Sequence, residues 1–249
     1  MMTLKSLSLS LCASLLLGCQ SALDKEGYAY DPFEPTNRAI FAFNQQLDNI
    51  VLQPIATGYQ TIMPDVAQTG VRNVVSNLDD VSSLANSLLQ GKFHQSLRIA
   101  TRIVSNSVFG LGGLIDVASH MNNPKIKTDF GATLAHYGVE SGAFIMIPIL
   151  GPSTLRDGFG NGVDALTTSP LAYSSDVGMR VGVTAAGKIQ QRADLLGKES
   201  LLETSPDPYA TMRDVWLQHR FGQLGFVVEE PEFDDEPTQS ALPTTGHEP

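Results

Sequence analysis

Apolar residues recur at helical spacing through most of the chain. In PTNRAIFAFNQQLDNIV, Ile40, Phe41, Phe43, Leu47, Ile50 and Val51 mark one face of a helix, and Pro35 sits where a first turn tolerates proline. PIATGYQTIMP predicts a short helix between Pro54 and Pro64. Asp65 to Gln90 accommodate two more helices, with Asn77 as a cap between them and Gly91 as the stop. FHQSLRIATRIVSNSVF, residues 93–109, is amphipathic: Phe93, Leu97, Ala100, Val104 and Val108 form one face, and Arg98, Arg102 and Ser105 turn away from it. GLGGLIDVA ends that helix and starts a short one, and DFGATLAHYG predicts another. Alternating β-branched runs bounded by turns are scarce. The expected fold is therefore all-α, a single helical domain with little or no β, and no internal repeat.

Two apolar stretches stand apart. AFIMIPILG, residues 143–151, is the longest unbroken apolar run after the leader, too short to cross a bilayer and interrupted by Pro148. It reads either as buried core or as a segment in a membrane interface. Residues 176–196 begin apolar and end amphipathic, with Gly178, Gly182 and Ala186 every four positions, a spacing that allows close helix packing within or beside lipid.

The ends of the chain differ from its middle. Residues 1–18 read as a signal peptide, with Lys5 as the positive region, Leu7 to Leu17 as the apolar region and Gly18 before the cut. Leu16-Leu17-Gly18-Cys19 resembles the bacterial lipobox, in which the cysteine carries a diacylglycerol and, after cleavage, an N-acyl chain. More than one acyl chain gives stable attachment, so Cys19 is the expected lipid anchor. Gln20, where an aspartate would resemble an inner-membrane retention signal, points to the outer membrane, facing the periplasm. Residues 19–30 form a tether, 31–228 the helical domain, and 229–249, acidic and proline-rich, an expected disordered tail.

Charge and cysteine usage narrow the functions. Removing residues 1–18 leaves 15 basic against 26 acidic side chains, a net charge of about −11 without a Lys/Arg cluster. That argues against nucleic acid and against docking on anionic headgroups by charge. Charged residues make up only 17% and mean hydropathy is −0.01, apolar for a periplasmic protein. Cys12 leaves with the leader and Cys19 becomes a thioether, so neither a disulfide nor a cysteine nucleophile is expected. No catalytic pattern assembles. Ser153 in GPSTL lacks the second glycine of a nucleophile elbow and reads as a helix cap. The histidines show no paired metal-ligand spacing, and Asp79-Asp80 reads as a solvated helix face. No metal and no cofactor is expected beyond the acyl groups on Cys19. The least implausible hydrolase pair is Ser153 with His136, lacking an acid partner and an oxyanion hole; a purely structural lipoprotein that braces the envelope is a further alternative.

Several segments, taken together and in order, resemble the MlaA (VacJ) lipoprotein family: DPFEPTNRAIFAFN (31–44), LLQGKFHQSLRIATRIVSNSVFGLGGLIDVA (88–118), DFGATLAHYGVESGAFIMIPILGPSTLRDGFGNGVD (129–164), RADLL (192–196) and DPYATMRDVWLQHR (207–220). The resemblance implies a helical ring lying in the inner leaflet of the outer membrane. A polar channel through that ring would pass phospholipid headgroups inward from the outer leaflet. It further implies association with a trimeric porin and transfer of the lipid to a soluble periplasmic carrier. Charges at membrane depth should face such a cavity or pair with each other. Arg98, Arg102, Asp164 and Arg180 are accordingly the expected polar-path residues, the arginines being suited to a lipid phosphate.

Overall fold

A computed structural model describes residues 29–198, 202 and 204–225. The expected signal peptide, Cys19, all but the last two residues of the tether, and the expected tail lie outside them. The described chain is mostly helical. Helix α1 spans Glu34–Leu47, passes through a π-helical turn at Asp48–Leu52, and continues as α2, Gln53–Ile62. The long α3 covers Asp65–Leu89, α4 Phe93–Val108, α5 Val117–His120 and α6 Phe130–His136. Strands β1 (Phe144–Ile147) and β2 (Gly151–Thr154) form a hairpin, followed by α7 (Leu155–Thr167), a 3-10 turn (Pro170–Tyr173), α8 (Val177–Leu195) and α9 (Pro208–Leu224).

Four details differ from the sequence reading, each for a physical reason. Residues 65–89 are one helix rather than two. Asn77 does not cap; its side-chain nitrogen donates to Ser107 Oγ on α4 at 3.2 Å, across a helix interface. The cap of α7 is Thr154, whose Oγ1 accepts from the Asp157 N–H at 3.2 Å, while Ser153 lies in β2. The spacing of Gly178, Gly182 and Ala186 does not mark the tight helix contact. A Cβ at Gly182 would meet nothing, whereas at Gly187 it would touch Val75 of α3 at 3.4 Å.

The fourth difference is the hairpin. In AFIMIPILG, Ala143, Phe144 and Met146 are buried and Ile149 and Leu150 are exposed, so the run is part core and part surface turn. The outer edge of β1 would present unpaired backbone groups. Two asparagines seven apart on α1, hence on the same face, supply the partners. Asn37 donates to the Phe144 carbonyl at 3.2 Å and accepts from the Met146 N–H at 2.8 Å. Asn44 donates to the Ile147 carbonyl at 3.1 Å and accepts from the Ile149 N–H at 2.8 Å. Asn37→Ala strips both partners from a buried edge and is expected to cost about 1–3 kcal/mol. Asn44→Ala, at the more exposed end, should cost less; thermal unfolding in mild detergent checks the order.

The hairpin packs into a conventional core of Phe144, Met146, Tyr209, Leu217 and Phe221, flanked by Phe41 and Trp216. Rings meet edge to face, with Phe41–Tyr209 centroids 5.7 Å apart and Phe144–Trp216 6.1 Å. The same region ties the two ends of the domain together. Asp31 accepts from Asn37 at 2.8 Å, from the Tyr209 hydroxyl and from Arg213 at 3.4 Å. Arg38 grips Asp207 with two bonds of 3.0 and 2.7 Å while lying 4.5 Å over the Tyr209 ring.

Candidate functional site

Away from that core the usual distribution of residues is reversed. Among the described residues, nineteen polar or charged side chains are buried against ten hydrophobic ones, and thirty-one large hydrophobic side chains are exposed. Exposed apolar surface on this scale marks contact with something other than water. Helix α4 shows the reversal most plainly. Its apolar face is the open one, with Phe93 73% exposed and Leu97 68%, while Arg102 on the opposite face is 1% exposed. Helix α3 buries Gln68, Asp80, Ser83, Asn86 and Ser87.

These buried polar groups form two hydrogen-bonded clusters that follow one another along α3. Arg102 donates from Nε to Asp80 at 3.2 Å, from Nη2 to both oxygens of Asp116 at 3.1 and 3.2 Å, and from Nη1 to Ser119 at 3.1 Å and to the Asn123 carbonyl. Asp116 also accepts from Asn106 at 3.0 Å and from the Ser119 hydroxyl at 2.6 Å. Lys125 lies 3.8 Å from Asp80 and donates to Ser76. One helical turn on from Asp80, Ser83 donates to the Thr128 carbonyl. Gln90 donates to Thr128 and Thr133 at 2.8 and 3.0 Å, and Thr133 donates to Asn86 at 2.9 Å. Asn86 in turn donates to Asp164 at 2.8 Å. A buried polar group without a partner is costly, so the dense pairing of this row, in which Asp80 Oδ1 alone has no hydrogen bond and faces Lys125 at 3.8 Å, is what lets a polar interior persist.

The row leads to an open cleft of about 320 Å³. Gln90 and Thr128 form its inner wall, Lys92, Lys127, His136 and Arg220 contribute to its sides, and no carboxylate among the described residues lines it. Arg220 is held by Asp129 (2.7 and 2.8 Å) and Asp157 (2.9 and 3.0 Å). Lys92 and Lys127 make no salt bridge among the described residues. The cleft is a concave, positively charged opening at the end of a polar interior.

The network sets local acidities in opposite directions. Burial opposes ionisation of Asp116, but hydrogen bonds from Ser119, Asn106 and Arg102 outweigh it and hold the carboxyl at about 2. Asp157 is likewise buried, and Arg220 and Arg156 pull it below its ordinary value. Asp80 is raised, because complete burial outweighs Lys125 and Arg102. A depressed carboxyl stabilises the fold above its unfolded value, and that contribution disappears as pH falls through the folded one. Asp116 and Asp157 therefore withdraw stability as pH falls below about 4, for Asp116 down to about 2. Asp80 works in reverse, contributing below its ordinary value and losing that contribution as pH rises through the raised one. Asp116→Asn is expected to lower stability at neutral pH and to flatten the acid limb; denaturation midpoints across a pH series measure it.

Comparison with known proteins places this architecture. A family model described as MlaA lipoprotein matches residues 29–223. The chain belongs to the MlaA lipoprotein family. It is 37% identical over 223 residues to the intermembrane phospholipid transport system lipoprotein MlaA of Shigella flexneri, covering 87% of each chain. It is 36% identical to the protein of that name from Escherichia coli K12, again over 87% of each. An uncharacterised protein of Rickettsia felis is 37% identical over 74% of each chain. A chain solved to give the structural basis for maintenance of bacterial outer membrane lipid asymmetry superposes with a TM-score of 0.70 at 35% identity, covering 78% of this chain and 98% of that one.

The four residues expected on an MlaA polar path fall in different settings. Arg102 is sealed, all its nitrogens engaged. Asp164 accepts from Asn86, from Thr168 at 2.7 Å and from the Phe130 N–H at 2.7 Å, and makes no salt bridge among the described residues. Arg98 is half-buried one turn before Arg102, with Nε donating to Asn123 at 3.3 Å. Arg180 is exposed near the start of α8. The sequence reading missed Asp80, taken as solvated, and the Lys92–Lys127 cleft, whose lysines lie 35 positions apart. The signal for Asp80 was present: it lies at helical spacing from Ser76, Ser83 and Ser87 on α3, a stripe of small polar residues. Ser153 is 2% exposed with its hydroxyl on the neighbouring Thr154 carbonyl, and His136 lies edge-on to Tyr137; nothing joins the two.

Proposed function

We propose that this chain is an outer-membrane lipoprotein that takes misplaced phospholipid from the outer leaflet and delivers it intact to a soluble carrier in the periplasm. The observation that carries the reading is the reversed burial: lipid-compatible side chains outside, a densely paired polar row and a basic cleft inside. An amphiphile leaving a bilayer needs a polar route for its headgroup beside an apolar surroundings for its tails, and charges in such a route must face it or each other. Among the described residues no helix is long and apolar enough to cross a membrane. The apolar faces of α3 and α4 fit a domain lying in one leaflet, as amphipathic helices do.

In this reading Arg102, Asp80 and Asp164 hold the walls, while Arg98, Lys92 and Lys127 remain available to a phosphate diester, with Arg180 at the outer margin. Cys19 carries the acyl chains that fix the domain to the membrane, and a porin trimer supports it there. The step needs no cofactor and no bond is broken. The relatives' name as a phospholipid transport system supports the substrate.

The test uses purified, lipidated protein in liposomes with labelled phospholipid and a soluble lipid carrier as acceptor. Intact lipid should reach the carrier only when the protein is present. Labelled lysolipid or fatty acid would replace transport with hydrolysis, and neither product, with porin supplied, would leave a structural role. Cys19→Ala should abolish membrane retention and transfer; full activity in that variant would remove the anchor from the account.

A further inference from the structure

We infer that a groove between α3 and α8 receives one acyl chain of the transported lipid, so that tail and headgroup are sorted along a single helix; this rests on the phospholipid reading above. The groove holds about 790 Å³. Its walls include Val66, Val71 and Val74 of α3, Leu114 and Ile115 of the loop after α4, and Val183 of α8, and among the described residues no hydrogen-bonding or charged side chain lines it. Its walls are pinned together. Arg72 of α3 grips Asp194 of α8 at 2.5 and 3.1 Å, Tyr59 donates to Gln190 at 2.7 Å, and the missing side chain at Gly187 lets Val75 approach. A pinned apolar groove is ready for a ligand without first being ordered.

The choice of an acyl chain over another apolar occupant comes from continuity along α3. The residues of α3 that line the groove end at Val75, and the polar row begins with half-buried Ser76 and wholly buried Asp80. The crossing loop repeats the division in adjacent residues: Ile115 lines the groove, and Asp116 pairs with Arg102. The loop is locked at that boundary, with Asn73 donating to the Leu114 carbonyl at 2.9 Å and Gly113 leaving room for Asn77. A dry apolar lining directly followed by a polar row matches a molecule with both. From Asp65 to Val75 the helix rises about 15 Å, half of a hydrocarbon core about 30 Å thick, which is the length of one leaflet's chains.

Ala67→Trp and Val183→Trp would fill the groove from opposite walls, and Thr69→Trp, exposed and outside the lining, is the control. In the liposome assay, loss of burial for two methylenes slows protein-dependent transfer of dipalmitoyl lipid about tenfold, and slows didecanoyl lipid less. Thr69→Trp should keep the wild-type rate, with all three variants unchanged in thermal midpoint. Wild-type rates in both groove variants would overturn the proposal, as would a loss that tracks with loss of co-purifying porin, which would make the groove a protein interface. A benzoylphenylalanine at Val71 reads the occupant without relying on transport. A covalent phospholipid adduct joined through its acyl chain supports the groove even if no lipid moves, whereas no adduct, or one joined through the headgroup, overturns it.

Discussion

Arg102→Met is expected to destabilise the folded protein by about 3–5 kcal/mol, the cost of breaking a buried ion pair from one side. Arg102 is 1% exposed and Asp80 not at all, so the substitution leaves a carboxylate in the interior facing only Lys125 at 3.8 Å. Asp116, Ser119 and the Asn123 carbonyl lose their shared donor at the same time. Arg102→Lys should rescue little, because one ammonium cannot address four acceptors spread around a planar guanidinium. The informative variant is the double one. Arg102→Met with Asp80→Leu removes both buried charges, and it should be less destabilised than Arg102→Met alone. Denaturant titration in mild detergent measures all three; a double variant worse than the single would mean that the pair matters for packing and not for charge.

Gly160→Ala and Gly162→Ala are expected to move stability in opposite directions although they stand two residues apart on α7. A Cβ at Gly160 would lie 2.4 Å from the Gly131 nitrogen and 2.8 Å from its Cα, both backbone of α6 that cannot swing aside. Overpacking against backbone costs about 1–3 kcal/mol or more, and pushing α6 outward would also pull Thr133 from Gln90 and Asn86. A Cβ at Gly162 meets nothing within 4 Å. There the substitution should stabilise by up to about 1 kcal/mol, the helix preference of alanine over glycine. Thermal midpoints of the two proteins decide it, and equal shifts would refute the close approach of α6 and α7.

How much of this was legible in the sequence depends on the kind of information each element needed. The bounds of α2 and α4 and the stop at Gly91 were readable because prolines, glycine and helical spacing act locally. The two faces of α4 were readable as well, with Phe93, Leu97, Val104 and Val108 opposite Arg102. Which face is buried was not, because periodicity separates two faces without naming the medium outside each. That is why Asp80 read as solvated and is instead wholly buried. The hairpin was hidden because its edge is completed by Asn37 and Asn44, more than 100 residues away. The α3 division at Asn77 failed because an asparagine paired across to Ser107 has no need to end a helix. The clamp of Arg38 on Asp207 joins two motifs 169 residues apart, and local pattern carries no trace of it.

The measurement that bears most directly on the account is a scan of spin-labelled single cysteines along α4, residues 93–108, in the full-length lipidated protein reconstituted in bilayers. On the proposed maturation, Cys12 leaves with the leader and Cys19 becomes a thioether, so no thiol would compete with the introduced one. Labels at Phe93, Leu97, Val104 and Val108 should be reached by oxygen dissolved in the lipid and not by a water-soluble nickel chelate, while labels at Ser96 and Ser105 are shielded from the lipid. Accessibility to the chelate at the four apolar positions would put α4 in water, and the lipid-facing exterior on which the proposed transport rests would be gone.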